Sequence, residues 1–177
     1  VTYNNEKIVS TYIYIKALVA LKKNDRAILC GLDALKHYKE EHQSKYVSLL
    51  CKILLEIIDP ISEPVKYFKI LFLQADIWLE NINIYEAERL FEQASYIIKD
   101  NYSLFDSKDI THFFHRHVNQ KLHTLQYDKA INILKNFESL PNLAPNAPLI
   151  INDRYCVALY SLGHEEEALE KIDEVIE

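Results

Sequence analysis

The chain has 177 residues, of which 49% are hydrophobic, so it holds ample apolar material for a folded core. Its 2 glycines and 5 prolines are too few for a protein that reverses its chain in repeated β-hairpins. Its formal net charge of −6 argues against a general nucleic-acid binder, which needs clustered Lys and Arg to neutralise phosphates.

The cysteines and the N-terminal residues bear on the cellular compartment. Cys30, Cys51 and Cys156 lie far apart and form no Cys-x-x-Cys pair, which predicts a reducing compartment, cytoplasmic or nuclear, without disulfides or zinc. No apolar run approaches the roughly 18 residues that a membrane-spanning helix needs. The first residues lack the sections of a signal peptide. Because the chain starts at Val1 and has no methionine, we expect a fragment of a longer protein.

Apolar residues recur with a period of about 3.6 along the chain, which predicts an all-α fold with almost no strand signal. Short polar residues at Ser62, Ser107 and Asn146 are predicted to cap three of the helices, because such side chains accept hydrogen bonds from the first backbone amides. The predicted helices are 4–23, 25–40, 43–58, 63–81, 84–99, 107–125, 127–139, 147–162 and 164–177.

Short links join most of these helices in pairs, and such links force neighbouring helices to run antiparallel. The predicted hairpins are 4–40, 63–100, 107–140 and 147–177, and the helix 43–58 is left over as an insertion. A small residue recurs in the first turn of each second helix, which indicates a repeat. These residues are Ala27, Ala87, Ala130 and Ala168.

The second and fourth hairpins carry the clearest pattern. Ala87, Phe91 and Ala94 follow one another on a second helix in the order small, large aromatic, small, and Ala75 and Trp78 precede them on the first helix. Small residues let two helix backbones approach, and the aromatic side chain fills the space between hairpins. This pattern resembles the tetratricopeptide repeat.

The other hairpins fit the same pattern with differences. Gly163 takes the place of the loop glycine in the last hairpin, with Cys156, Ala168 and Ile172 in the side-chain positions. In the third hairpin, Leu125 stands where the glycine is usual. The first hairpin has Gly31 where a large side chain is expected. Because the unexplained helix 43–58 could shift the phase of the repeat, we expect the first pair to pack differently from the rest.

The resemblance implies a right-handed superhelix, an α-solenoid, in a single domain spanning 1–177. A stack of hairpins offers a concave surface that holds other chains, so the implied function is a non-catalytic protein–protein interaction scaffold or adaptor. We predict no cofactor, no nucleic acid and no membrane as a partner. A helical-repeat domain of a bacterial signalling regulator, which binds short peptides in the same groove, is the alternative.

A narrower resemblance concerns three stretches: SKYVSLLCKILL, KYFKILFLQADIWLENINIYEAERLFEQA and QYDKAINILKNFESLP. They look like the N-terminal repeat region of the tetratricopeptide subunits of the anaphase-promoting complex. That resemblance implies a cell-cycle role and a homodimer. The last helix also points to a second copy or to further repeats, because its outer face carries Ile172, Val175 and Ile176 without a cover.

The run HFFHRHVNQKLH places His112, His115, Asn119 and His123 on one face of a helix. Such a stripe suits a transition metal or a response to pH near neutrality. A metal site would need a third ligand and a supporting carboxylate, which the neighbouring sequence lacks, so a polar face along a groove is favoured. The stretch HEEEA lacks the second histidine of a zinc hydrolase, and two glycines cannot form a phosphate loop. We predict no enzyme and no metal.

The groove of such a repeat is lined by the first helices of the hairpins. Their mixture of charged and aromatic side chains suits the capture of a peptide or a partner helix. Binding of a chaperone tail is disfavoured, because Arg116 and Asn119 match only fragments of the carboxylate clamp and Asp76 and Asp153 would repel the ligand. The predicted groove residues are Tyr12, Lys16, Lys69, Phe72, Asp76, His112, His115, Arg116, Asn119, His123, Arg154 and Tyr160.

Overall fold

The computed structural model describes the backbone of residues 2–40 and 44–176 and the side chains of residues 9–36 and 45–174. Within those ranges the chain is all-α and has no strand, which confirms the predicted fold class. Each predicted helix corresponds to an observed one. The helices are α1 (Thr2–Ala20), α2 (Asn24–Glu40), α3 (Ser44–Ile57), α4 (Pro64–Glu80), α5 (Ile84–Asn101), α6 (Ser107–His123), α7 (Tyr127–Glu138), α8 (Ala147–Ser161) and α9 (Glu165–Ile176), with a 3-10 turn at Tyr102–Leu104 before α6.

The chain divides into two compact units. Unit 1 comprises Val1–Asn101 and contains α1 to α5, and unit 2 comprises Tyr102–Glu177 and contains α6 to α9. The single domain expected from the sequence stays a prediction. None of the helices within the described residues is both long enough and apolar enough to cross a membrane.

The core of unit 1 is built around α3. Leu50 and Leu54 of this helix are fully buried in a cluster that also contains Ile15 of α1 and Ala27 of α2. The helix contacts α1, α2 and then α4. It therefore lies where the first helix of a following hairpin would lie in a stack, against both helices of the hairpin before it.

Gly31 explains how α3 approaches α2 so closely. A Cβ atom at this position would lie 2.7 Å from Cδ2 of Leu54, closer than real Cβ contacts allow. The side chain of Leu54 is itself completely buried and has little room to move. Gly31 stands where the repeat usually has a large residue. Its lack of a side chain thus lets α3 pack closely against α2.

The pair α4 and α5 shows the side-chain pattern expected of the repeat. The three small residues, Ala75, Ala87 and Ala94, are completely buried, as is Phe91. The ring centroid of Phe72 lies 6.2 Å from that of Phe91, within the range of favourable aromatic pairs. Aromatic packing therefore joins the two helices at the level of the small residues.

Four turns share one backbone geometry. Lys22, Ile82, Leu125 and Gly163 have φ values of 55°, 61°, 58° and 82°, the left-handed conformation that ends many helices. In each turn, the N–H of this residue donates to the carbonyl three residues earlier, and the next N–H donates to the carbonyl five residues back. The repeated alanine follows five residues later at every turn. The four hairpin turns are therefore equivalent at the level of individual hydrogen bonds.

Two of the predicted helix caps are wrong. The N-cap of α6 is Asp106, whose carboxylate accepts from the backbone N–H of Lys108 at 2.7 Å, and Ser107 is already helical. The N-cap of α4 is Glu63 rather than Ser62, and it makes no side-chain cap. Asn146 does occupy the N-cap of α8, but its side chain makes no capping hydrogen bond.

Unit 2 has an aromatic core between α6 and α7. The rings of Phe114 and Phe137 are stacked with centroids 4.8 Å apart, and Phe113 meets Phe114 edge to face at 5.3 Å. Tyr102 donates its hydroxyl hydrogen to the carbonyl of Pro141, which ties the start of the unit to the loop after α7. This packing fixes the face of α6 that carries the histidines.

Candidate functional site

Two first helices of unit 2, α6 and α8, lie in contact, and α7 packs against both. A cavity of about 340 Å³ is lined by Lys108, Thr111, His112, His115, Asn146 and Ile150. Residues near the start of α6 thus meet residues at the start of α8, so the two helices run in the same direction. The N-terminal end of α8, which has no side-chain cap, is close to this cavity, whereas that of α6 is capped by the carboxylate of Asp106.

His115 is at the centre of a hydrogen-bonded cluster next to the cavity. Its Nε2 lies 3.2 Å from Nη2 of Arg154 and 3.1 Å from Nδ2 of Asn119. A guanidinium has only donors, so Nε2 must be the acceptor, and the imidazole is neutral with its proton on Nδ1. The contact with Arg154 therefore requires an uncharged His115.

The surroundings of His115 favour this neutral form. Burial lowers the pKa of the imidazole, and the positive charges of Arg154, His112 and Arg116 lower it further. Asp153 acts in the opposite direction on the same pKa. Burial, reinforced by cationic neighbours on both helices, thus favours the uncharged form of this histidine.

Arg154 has donor capacity that the protein does not use. Its Nε lies 3.4 Å from Oδ2 of Asp153, within the distance of an ion pair. This buried Nε nevertheless makes no hydrogen bond with any of the residues that the structure describes. Because this Nε is inaccessible to solvent, it is an unsatisfied donor inside unit 2, held beside the carboxylate of Asp153.

The structure brings part of the predicted site together in unit 2. His115, Asn119 and Arg154 form one cluster, and His112 lines the adjoining cavity. Arg116 acts on His115 through its charge. His123 and Tyr160 are both exposed but do not line the cavity.

The predicted residues of unit 1 differ in exposure. Lys16 is exposed, with its Nζ 5.7 Å from the ring centroid of the half-buried Tyr12. Lys69 is exposed, whereas Asp76 is buried and Phe72 is half-buried between Phe68 and Phe91. The last two therefore contribute to the packing of this unit.

Sequence reasoning missed four residues of the cavity: Lys108, Thr111, Asn146 and Ile150. A signal for the first two was present, because Lys108 lies four residues before His112 and extends the same stripe by one turn. Asn146 and Ile150 likewise precede Arg154 at intervals of four residues. These intervals place residues on one face of α8, but no sequence signal shows that this face meets α6.

The structure shows the surroundings of the side chains that were considered for metal binding or catalysis. Among the side chains that the structure describes, no group of three or more His, Cys, Asp or Glu could hold a metal ion. Burial raises the pKa of the Cys51 thiol to about 12, and it also raises the pKa of Cys156, so both stay protonated. In HEEEA, Nδ1 of His164 lies 2.7 Å from Oε1 of Glu167, an exposed contact within the first turn of α9.

Unit 1 has a cavity of its own, also of about 340 Å³, between α3 and α4. It is largely apolar and includes Trp78, the one tryptophan of the sequence. Its lining residues are Lys45, Ser48, Leu49, Ile77, Trp78 and Asn81.

Comparison with known proteins identifies the fold. No family model matches the chain, and no curated protein matches it. Two crystal structures of a putative kinesin light chain from Podosopora anserina, with nearly identical TPR-like repeats, superpose with a TM-score of 0.61. Both are 13% identical in sequence to this chain, and each match covers 96% of it. The matches cover 92% and 93% of the kinesin light chain structures, the first of which carries a single substitution.

The fold is a TPR-like helical repeat. At 13% identity the likeness concerns the fold alone. It agrees with the four equivalent turns and the buried alanines of the hairpins. The narrower resemblance to the anaphase-promoting complex stays a prediction.

Proposed function

We propose that this chain is a non-catalytic protein–protein interaction module that holds a segment of a partner against α6 and α8 of unit 2. The observation that carries the proposal is the cavity between these helices, next to the hydrogen-bonded cluster of His115, Asn119 and Arg154. A concave site with a few polar groups converging on it is the usual form of a binding site. TPR-like repeats are built to present such surfaces.

Two narrower forms of the proposal differ in the partner. In a scaffold subunit, including one that self-associates like the anaphase-promoting complex subunits, the partner is a protein or a second copy of the chain. In a peptide sensor, the partner is a short free peptide. The polar character of this site fits an extended segment in either case, since exposed backbone amides and charged side chains both find hydrogen-bond partners there.

Site-specific photo-cross-linking tests the proposal in the native host. A benzoylphenylalanine at His112 or Ile150 should give one discrete adduct, because both side chains line the cavity, one on each first helix of unit 2. The same group at Lys135, exposed on α7, is the matched control and should give none. An adduct of twice the chain mass would identify a homodimer, and a small mass increment would identify a peptide.

Two results would contradict the proposal. Adducts of equal yield from α7 and from the first helices would show that the protein is contacted without preference for this face. The absence of any adduct at both first-helix positions, in cells that contain the folded protein, would remove the face from consideration.

A further inference from the structure

We propose that copies of this chain associate head to tail, with the exposed face of α1 on one copy packed against the exposed face of α9 on the next. Both faces are separate from the α6–α8 cavity, so this association is independent of the proposed partner site. The packing of α8 against the hairpin before it provides the template for the contact.

In unit 2, α8 packs as the first helix of one hairpin against both helices of the preceding hairpin. Tyr155 and Ala158 of α8 are only 4% and 0% exposed, and the Tyr155 hydroxyl donates to Oε2 of Glu138, the last residue of α7, at 3.4 Å. On α7, Leu134 follows the repeated Ala130 by four residues and is 1% exposed. These side chains show which faces meet when one hairpin of this repeat covers another.

The face of α1 that corresponds to the packed face of α8 is exposed. Tyr14 and Tyr155 both precede the repeated alanine of their hairpin by 13 residues, yet Tyr14 is 42% exposed. Ala17 and Ala158 both precede it by 10 residues, and Ala17 is exposed as well. Leu21, the first residue after α1, continues this exposed apolar surface. The described chain therefore leaves open on α1 a face that is buried on α8.

The face of α9 that corresponds to the covered face of α7 is exposed too. Ile172 follows Ala168 by four residues, as Leu134 follows Ala130, but Ile172 is 42% exposed. Leu169, three residues before Ile172 and hence on the same side of α9, is also exposed. Both halves of one packing interface are thus present on the chain and open to solvent in its described part, one on α1 and the other on α9.

The two faces belong to elements of opposite charge. Residues 9–36 of the α1–α2 hairpin include five Lys or Arg and two Asp, a net charge of +3, whereas α9 includes six carboxylates and one Lys, a net charge of −5. The neighbouring helices do not reverse either sign, because α3 adds Lys45, Lys52 and Glu56 and α8 adds Asp153 and Arg154. Two identical faces would bring like charges together, so α1 of one copy and α9 of another are the complementary pair.

The direction of the helices aligns these charges. Because α8 runs parallel to α6, it runs antiparallel to α7, and α1 packed on α9 in the same way would place the end of α1 at the start of α9. Lys22 and Lys23 then lie against the acidic first turn of α9, Glu165–Glu167. The guanidinium of Arg26, 5.9 Å from the ring centroid of Tyr14, places a further cation beside the apolar face of α1.

Contact between two different faces has a consequence for stoichiometry. A dimer formed in this way keeps one unused α1 face and one unused α9 face, so further copies can add to it. Association should therefore continue beyond the dimer as the protein concentration rises.

Sedimentation velocity over a series of protein concentrations measures this association. The unmodified protein should form dimers and larger species, and raising the salt from about 0.05 M to about 0.5 M should weaken association severalfold, since salt screens exposed charges. Tyr14→Glu and Ile172→Lys each place a repelling charge on one face, so each variant alone should remain monomeric. The matched controls, Tyr96→Glu on α5 and Ile61→Lys before α4, alter exposed residues elsewhere and should associate like the unmodified protein.

A mixture of the two variants distinguishes head-to-tail association from symmetric pairing. Tyr14→Glu retains an intact α9 face, and Ile172→Lys retains an intact α1 face. Mixed in equal amounts, they should form a dimer with one copy of each variant and nothing larger. Circular dichroism confirms the fold of each variant.

Several outcomes would overturn the inference. Association lost in Tyr14→Glu but kept in Ile172→Lys would show that two α1 faces meet, and the opposite result would show that two α9 faces meet. An unmodified protein that stays monomeric, or a mixture of variants that does not dimerise, would exclude the contact.

Cross-linking in the native host tests the same contact in the protein as it is expressed there. Benzoylphenylalanine at Tyr14 should give an adduct whose cross-linked peptide lies in α9 of a second copy. An adduct with a different protein or with another part of the same polypeptide would show that something else covers α1, and the absence of any adduct would show that nothing does. Each of these results would overturn the inference.

Discussion

Three of the four hairpin turns place a side chain in a conformation that costs free energy. Lys22, Ile82 and Leu125 have positive φ, and only Gly163 has no Cβ to strain. Ile82 and Leu125 are also 82% and 71% exposed, so their side chains gain little from burial. The preference of these residues for negative φ is outweighed by the tight link and by the packing of the helices on either side.

Replacing the strained residues with glycine should stabilise the protein. Relief of left-handed strain, about 1–2 kcal/mol, exceeds the entropic cost of glycine in the unfolded chain, so Ile82→Gly and Leu125→Gly should each gain about 0.5–1 kcal/mol. Leu169→Gly, at an exposed position within α9, is the control and should lose about 1 kcal/mol. Urea denaturation measures all three. A loss of stability in both turn variants would contradict the strain argument.

Only some of these turn residues could be identified from the sequence. Gly163 and Leu125 were assigned to the loop position by their spacing from Ala168 and Ala130. Lys22 and Ile82 were not, because neither residue type favours positive φ and the conformation depends on the two helices that the turn connects. The repeat spacing was therefore a better guide than residue type.

At the scale of elements, α3 shows how one residue changes the packing of a helix. The periodicity predicted this helix, but its contacts with α1, α2 and α4 arise only in the folded chain. Gly31 was noted as a departure from the repeat, and the structure shows its reason in the close approach of Leu54. A glycine in place of a large residue indicates that another element packs close to the helix backbone, but it does not identify that element.

The sign of a substitution at Gly31 should depend on Leu54. In the natural sequence, Gly31→Ala should destabilise by about 1–3 kcal/mol through overpacking, despite the better helix propensity of alanine. In a Leu54→Ala background the new methyl has room, and the same change should stabilise. Thermal unfolding of the four proteins gives the coupling energy; Leu54→Val replaces Leu54→Ala if the latter does not fold. Equal effects in both backgrounds would show that the two residues do not interact.

The start of α6 tests the corrected cap. Asp106→Ala should cost about 1 kcal/mol, because the carboxylate that accepts from Lys108 N is lost. Ser107→Ala should change stability little, since that residue is already helical. Chemical denaturation compares the two. A larger loss of stability for Ser107→Ala would support Ser107 as the N-cap, as the sequence predicts. The sequence offers two adjacent polar residues, Asp106 and Ser107, for that one position.

In the candidate site, too, the sequence identifies individual residues, whereas the contacts between them come from tertiary packing. The histidine stripe of α6 and Arg154 of α8 were both identified as groove residues from helical spacing. Their contact, with His115 Nε2 and Arg154 Nη2 3.2 Å apart, could not be. It depends on α7 returning the chain so that α8 lies along α6. Spacing gives the face of each helix, and packing decides which faces meet.

At the scale of the whole molecule, the two compact units each have a core of their own. Leu54 belongs to the core of unit 1, and Leu134 on α7 is buried in unit 2. In helical repeats, most contacts are made between near neighbours, so stability is distributed along the chain. Local losses of packing should therefore be felt mainly within one unit.

That expectation can be measured with two core variants. Leu54→Ala and Leu134→Ala should each cost about 2–5 kcal/mol in their own unit. Circular dichroism follows the helices of both units. The prediction is a stepped transition, with only one part shifted in each variant. A single transition that shifts as a whole in both variants would show that the units unfold together.

Trp78 provides the second signal for this experiment. It is the one tryptophan of the chain, and it lines the cavity between α3 and α4 in unit 1. Its emission therefore acts as an intrinsic optical label for one half of the protein, with no dye or mutation required. Leu54→Ala should displace the emission transition, and Leu134→Ala should leave it in place.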